Sequence, residues 1–311
     1  MTATQVASGP LPVVRPAHRR PIGFRLTLLV GLGLVALATV SAVAAPVLAP
    51  HRPEAADLGA RLLPPAWLRS PSGAGPPAVP GTGRPPAGTA YLLGTDAIGR
   101  DLLSRIIYGA RVSLEVGVLS VAVSGIAGTC LGLLAGYYGG WWGELVMRAA
   151  DLQLSFPFIL FAIIVIAVLG PGLSRIILVL AVTQWASYAR LVRSEALAVR
   201  ETDYIQAARA IGLADRRIIW KHVLPNALGA VSVLATLSVA NNILLEAALT
   251  FLGLGVDPSI PSWGGMLADS RNYIQTAWWD STFPGLAIML TVMGFNLVGD
   301  WLRDRLTPEL A

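Results

Sequence analysis

The sequence predicts an all-α integral membrane protein with six transmembrane helices. Two observations carry that class. Of the 311 residues, 54% are hydrophobic and 13% are charged, roughly half the ~25% charged share of a soluble domain. Apolar runs close to the ~20 residues that cross a bilayer as a helix recur along the chain.

The elements follow in order. Residues 1–25 form a basic N-terminal tail with Arg15, Arg19, Arg20 and Arg25. Leu26–Leu48 is the first span. It is too long for a signal-peptide core, and Ala44-Ala45-Pro46 is a poor cleavage site, so it reads as a retained helix. His51–Ala90 is rich in proline and glycine and predicts a flexible, polyproline-like excursion. After it, Thr95 or Asp96 is expected to cap a short interfacial helix, with Leu102, Leu103, Ile106 and Ile107 on one apolar face. Residues 49–111 are thus an outer loop plus interfacial helix, and residues 112–302 are the core.

Within that core, Val116–Tyr137 is the second span and Leu152–Ser174, with Pro157 near its start, the third. Ile176–Ala189 is short between Arg175 and Arg190, which are expected to snorkel. Ala227–Val256, interrupted by Glu246, is the fifth span and Phe283–Gly299 the sixth. Asp257–Trp279 predicts an outer re-entrant or interfacial loop. Trp263, Trp278 and Trp279 read there as interface anchors, with contact to an external protein as the alternative. Residues 303–311 are the C-terminal tail.

Arginine placement orients the chain. With the N-terminus inside, the inner segments hold 14 of the 23 Lys+Arg residues, and most of the rest fall in one long outer loop, where they count little. Both termini are therefore expected in the cytoplasm. The net charge of +5 is explained by this topology beside a lipid bilayer and does not point to nucleic acid. Cys130 is the single cysteine, which excludes an intrachain disulfide.

Three features invite a role. Ser120, Ser124, Gly128, Gly132 and Gly136 recur every four positions, so they share one helix face. Such faces allow close helix approach, either within the bundle or against a partner subunit. Glu246 sits well inside a span, where a carboxylate costs roughly 2.5–3.5 kcal/mol. It must face protein or water, with Asn242 one turn before it. A polar brace and a translocation path are both open. No acid, base and nucleophile set, no metal-ligand spacing and no GxxxxGK[ST] phosphate loop is present, so uphill work would draw energy from another chain or an ion gradient.

The third feature is Asp203–Pro225, polar and carrying Arg209, Arg216, Arg217, Lys221 and His222 between apolar runs. Asp203 and Gln206 are spaced like a capping box. They open a helix, Tyr204–Ile211, with exposed Ala207 and Ala208. Gly212 is its natural stop, Asp215 would cap a second helix over Arg216–Val223, and Pro225 would break it. A groove-docking helix and an interfacial amphipathic loop both fit these residues.

This segment resembles the EAA loop of permease subunits of ATP-binding-cassette (ABC) importers, at about residues 195–228. Gln206-Ala207-Ala208, Gly212, His222 and Leu224-Pro225 stand at the loop's spacing, with Gln206 in place of Glu and His222 in place of Ile. Both departures are similar to the peptide/nickel branch, as are Arg209 and Asn226. Further matches to that branch are Gly94-Thr95-Asp96, Gly99-Arg100-Asp101, Ser104-Arg105, Tyr108-Gly109-Ala110-Arg111, Phe251-Leu252-Gly253-Leu254-Gly255, Pro261-Ser262-Trp263-Gly264 and Gly299-Asp300. The resemblance, to a dipeptide/oligopeptide C-type permease, runs from about residue 92 to 308. It implies a type I ABC importer transmembrane domain in a bacterial cytoplasmic membrane. It also implies ATPase coupling through Asp203, Gln206, Ala207, Ala208, Arg209, Gly212, Leu224 and Pro225. The implied partners are a sister permease in a heterodimer, two ATP-binding subunits and an extracytoplasmic substrate-binding protein. ATP and Mg would sit on the ATPase subunits, with no cofactor or metal on this chain, and the cargo would be peptide. A nickel chelate or another small solute is the alternative cargo. An ion-driven secondary transporter fits less well, because Glu246 stands alone as an intramembrane ionisable group.

Overall fold

The computed structural model describes residues 22–68 and 91–306, with only the backbone at 22–25. Most of the basic N-terminal tail, residues 69–90 of the Pro/Gly-rich stretch and residues 307–311 lie outside the described residues. Among the described residues every regular element is helical. Five runs are long and apolar enough to cross a membrane, and one bent pair makes a sixth.

The first is α1 (Ile22–Val43), followed by a single turn, α2 (Ala45–Leu48), with Pro46 in its first positions. α3 (Leu102–Tyr137) is one continuous helix of 36 residues. The expected interfacial helix and second span are therefore fused, and the boundary near residue 111 does not exist. Its cap is Asp101, not Thr95 or Asp96: the Asp101 carboxylate accepts from Ser104 N at 3.0 Å and Ser104 Oγ at 2.6 Å. Charge made the sequence reading stop early, yet Arg111 donates to the carbonyls of Ala42 (2.5 Å) and Val43 (3.2 Å) at the end of α1. A side chain with such partners does not end a helix.

The expected third span is two helices. α4 (Gly140–Ser155) and α5 (Phe158–Leu169) meet at 90°. Pro157 forces the break, because the residue before a proline is driven to extended backbone, and Phe156 adopts φ −85°, ψ 130°. α6 (Leu173–Arg200) runs far past the short Ile176–Ala189 run. Its Arg190 pairs with Asp151 of α4 at 2.7 Å. α7 (Asp203–Ala210) and α8 (Asp215–Ile218) follow. A π-helical segment, Ile219–Val223, then leads directly into α9 (Leu224–Phe251). Pro225 does not break this run. Proline lacks an N–H and crowds the carbonyl four residues back; the wider π turn lies just before it and the helix continues. α10 (Trp263–Ser270) lies inside the expected outer loop, capped by Ser262. α11 (Trp278–Leu306) closes the bundle with Pro284 in its first turns.

The small stripe of α3 packs inside the bundle: Gly128, Gly132 and Gly136 lie against α6, Ser120 meets Asn242 of α9, and Ser124 is buried. A methyl group at Gly132 would stand 2.6 Å from the Ala189 carbonyl oxygen, and one at Gly136 2.7 Å from Ala196 Cβ. At Gly128 it would meet Tyr188 Cβ at 2.5 Å. The partner-subunit alternative for this face is thereby excluded. A similar crossing joins α1 to α11, where a methyl at Gly294 would be 2.8 Å from Leu34 Cβ.

One end of the bundle carries a folded cap. Residues 51–68 are not an excursion: they pack on residues 91–101, with Ala60, Leu62 and Leu63 buried. Thr95 ties the two segments, its Oγ1 donating to Ala60 O (2.5 Å) and accepting from Leu63 N (2.8 Å). Arg100 pairs with Asp96 (2.5 Å) and Asp269 (3.2 Å), and Arg105 reaches the same carboxylates at 3.6 and 3.7 Å. Trp263 and Trp279 are core residues here, with 2% and 4% exposure. Their indole N–H groups donate to Ile106 O (2.9 Å) and Thr95 O (3.3 Å). Only Trp278 of the three expected anchors is exposed.

Two stability predictions follow from this packing. Gly132→Val is expected to cost about 1–3 kcal/mol by overpacking, lowering the thermal midpoint in detergent. Gly229→Ala, with Leu306 Cδ1 3.9 Å away, is expected to hold or slightly raise it; equal drops in both would refute a close-packed α3–α6 seam. Asp96→Ala leaves buried Arg105 with a single carboxylate and is expected to cost about 3 kcal/mol, read as earlier proteolysis of residues 51–68 during a thermal ramp.

Candidate functional site

The polar insert folds at the end of the bundle opposite the cap, where α3 and α6 end, α9 begins and Leu306 of α11 lies beside Gly229. α7 starts at Thr202, whose backbone is extended and whose hydroxyl donates to Val199 O at 2.6 Å. The expected capping box is absent. Asp203 is the first helical residue, and Gln206 Nε2 donates to Glu201 O at 3.2 Å. Asp203 in the first turn and Arg209 in the last both suit the helix dipole. The stop at Gly212 is as expected: φ is +78°, and Gly212 N and Leu213 N donate to Arg209 O (2.9 Å) and Ala208 O (3.0 Å). That double bond pattern is a Schellman turn, and only glycine takes its left-handed residue without strain.

Ile205 anchors α7, fully buried among Tyr137, Val199, Ile218 and Val223. Ala207 is exposed, whereas Ala208 is half-buried on the same cluster, so the expectation that both lie open holds for Ala207 only. Tyr204, Ile211 and Trp220 are exposed on the same end, Ile211 at 81%. Asp215 does not cap α8. Its carboxylate instead accepts from Tyr137 Oη at 2.6 Å.

Tyr137, the last residue of α3, is the hub that sequence reasoning missed. Besides Asp215, its ring lies under the Arg209 guanidinium at 4.8 Å and its carbonyl accepts from Arg200 Nη1 at 3.0 Å. One residue thereby joins α3, α6, α7 and α8. Leu224 is half-buried against Ile205's cluster, and Pro225 is exposed. Asn226, one residue on, donates to His222 O at 2.7 Å across the π segment.

The second expected site lies in the bundle interior. Glu246 is fully buried, its carboxylate accepting from Ser113 Oγ (3.1 Å) and Thr250 Oγ1 (2.9 Å). Asn242 is also fully buried, and it bonds not Glu246 but Ser120 Oγ (2.6 Å) and Gln184 Nε2. The pair therefore belongs to a polar layer tying α9 to α3 and α6. Gln184, Asn241 and Gln153 were missed as candidates; three carboxamides in or beside apolar spans were the available signal. Near the cap, Asp257 accepts from Ser259 Oγ and N at 2.7 and 2.8 Å, which holds its carboxyl below the usual range.

The family description "binding-protein-dependent transport system inner membrane component" matches residues 128–311. A dipeptide transport system permease protein of Alkalihalophilus pseudofirmus is 50% identical over 220 residues, covering 71% of this chain and 72% of the relative. A di/tripeptide transport system permease protein of Pseudomonas aeruginosa is 43% identical over 280 residues, 90% and 87% of the two chains. A glutathione transport system permease protein of Pectobacterium atrosepticum is 43% identical over 222 residues, 71% and 74%. This chain belongs to the family of binding-protein-dependent transport system inner membrane components, the permease subunits of ABC importers.

Proposed function

We propose that this chain moves di- or oligopeptides across a bacterial cytoplasmic membrane, driven by ATP hydrolysis on partner subunits. The observation that carries the coupling is α7. It is a short helix seated on the ends of α3, α6 and α9, locked through Ile205 and Tyr137, with Ala207 and Ile211 facing outward. A rigidly seated helix transmits a push that a loop would absorb, and rigid-body rocking of a bundle about an interface needs such a lever. Asp203, Gln206, Ala207 and Arg209 would meet the ATPase, with Gln206 offering a hydrogen bond where an ion pair is lost. Ala208, Gly212, Leu224 and Pro225 set the helix's seat and its end. The peptide cargo is supported by relatives named as dipeptide and di/tripeptide permeases.

The remaining parts of the reading follow from this. The α7 end faces the cytoplasm, which puts both chain termini there. The importer is completed by a sister permease, two ATPases that bind ATP and Mg, and an external binding protein near the cap. This chain itself carries no ATPase site.

The test is uptake of labelled dipeptide by proteoliposomes holding the whole importer. Uptake is expected to require ATP and binding protein, and uptake driven by an ion gradient with this chain alone would overturn the reading. Ala207→Glu with Ala208→Glu is expected to abolish uptake and its stimulation of ATP hydrolysis. Gly212→Pro is expected to do the same, because proline cannot adopt φ +78°. Wild-type uptake in either variant would refute the docking role of α7.

A further inference from the structure

Asn241 and Asn242 are neighbours in sequence, yet they face different surroundings. Asn242 is fully buried in the polar layer, while Asn241 is exposed. Asn241 opens into a recess of about 360 Å³ at the break between α4 and α5, lined also by Gln153, Phe156, Phe158, Thr183 and Gln184. That volume falls within the usual range for small-ligand sites. Asn241 lies ten residues before Phe251, the end of α9, or about 15 Å at 1.5 Å per residue. The recess therefore lies along the length of a spanning helix, away from both of its ends.

Its chemistry is unusual for that position. Three carboxamides and a hydroxyl line it, Leu154, Phe156, Phe158 and Leu245 flank them, and no charged side chain is among the lining residues. Carboxamides turned to lipid would each cost about 1–3 kcal/mol, so this side of the bundle is expected to face water, cargo or the sister permease. The orientation of one amide is set by a chain of hydrogen bonds. Ser120 Oγ donates to Val116 O at 2.6 Å, so it accepts from Asn242 Nδ2 at 2.6 Å. Asn242 Oδ1 then faces Gln184 and takes its Nε2 as donor. Gln184 Oε1, itself buried, has no hydrogen-bond partner, and Asn241 and Gln153 carry the carboxamides on the open side.

We propose that this recess is a station for the backbone of a short peptide during passage. The carboxamides of Asn241 and Gln153 pair with backbone N–H and C=O groups of the cargo. The inference rests on the peptide reading above. Recognition of this kind ignores cargo side chains, because every peptide presents the same amides. It also moves the path off Asn242 and Glu246, which brace the recess from behind.

The whole importer in proteoliposomes tests it, on a Cys130→Ser background because Cys130 is an exposed thiol. Asn241→Cys is expected to react with a charged, water-soluble thiol reagent, and alanyl-alanine with ATP is expected to slow that reaction several-fold. Asn242→Cys is expected to stay unreactive. Asn241→Leu and Gln153→Leu are each expected to lower uptake about fivefold, one hydrogen bond's worth, by the same factor for neutral, acidic and basic dipeptides. Unprotected Asn241→Cys, equal labelling at the two positions, or undiminished uptake by Asn241→Leu would overturn the station while wild-type uptake stands. Failure of the wild-type importer to take up any dipeptide would overturn the peptide reading and the station together.

Discussion

Everything in this bundle hangs on the close contact of α3 with α6. Gly128, Gly132 and Gly136 let the α3 backbone approach Tyr188, Ala189 and Ala196 so closely that no side chain fits between. In a membrane, helix association lacks the hydrophobic drive available in water, and it depends on dispersion contacts and hydrogen bonds at short range. Because the two backbones are close, short side chains at the seam also reach across the core. Ser113 and Ser120 of α3 meet Glu246 and Asn242 of α9, and Gln184 of α6 completes the layer.

The same seam sets the position of the α7 end. α3 finishes at Tyr137 and α6 at Arg200, and the Arg200–Tyr137 hydrogen bond fixes one against the other. α7 then has a firm base into which Ile205 fits, and Tyr137 adds a hydroxyl to Asp215 and a ring to Arg209. The π segment before α9 carries the insert into a spanning helix without a joint. A displacement of α7 is therefore passed to α3, α6 and α9 together, and α9 carries both Asn242 and Asn241.

At the other end, charge does the work that small residues do in the middle. Asp96, Arg100, Arg105 and Asp269 form a partly buried ion cluster that holds the loop before α3 to α10. Buried ion pairs add little net stability but are costly to break singly. They therefore favour one arrangement of the cap over others, and residues 51–68 fold onto that arrangement through Thr95.

Hydropathy, the small-residue stripe, Gly212 and the polar insert were legible in the sequence because each is a local pattern with a local physical cause. They determined a multi-span helical membrane protein with a helix–glycine–helix segment at one end, and the ordered motifs pointed to its family. Local patterns misled wherever a partner lay far along the chain. Arg111 marked the expected boundary between interfacial helix and core because its carbonyl partners at the end of α1 were invisible. Trp263 and Trp279 looked like interface anchors because their carbonyl partners lie more than a hundred residues away. Only the tertiary structure decided that the glycines of the stripe face α6, that Tyr137 joins four helices, and that Asn242 is buried in the polar layer while Asn241 is surface. Adjacent residues on a helix point about 100° apart, and which direction is core depends on what the rest of the chain brings there.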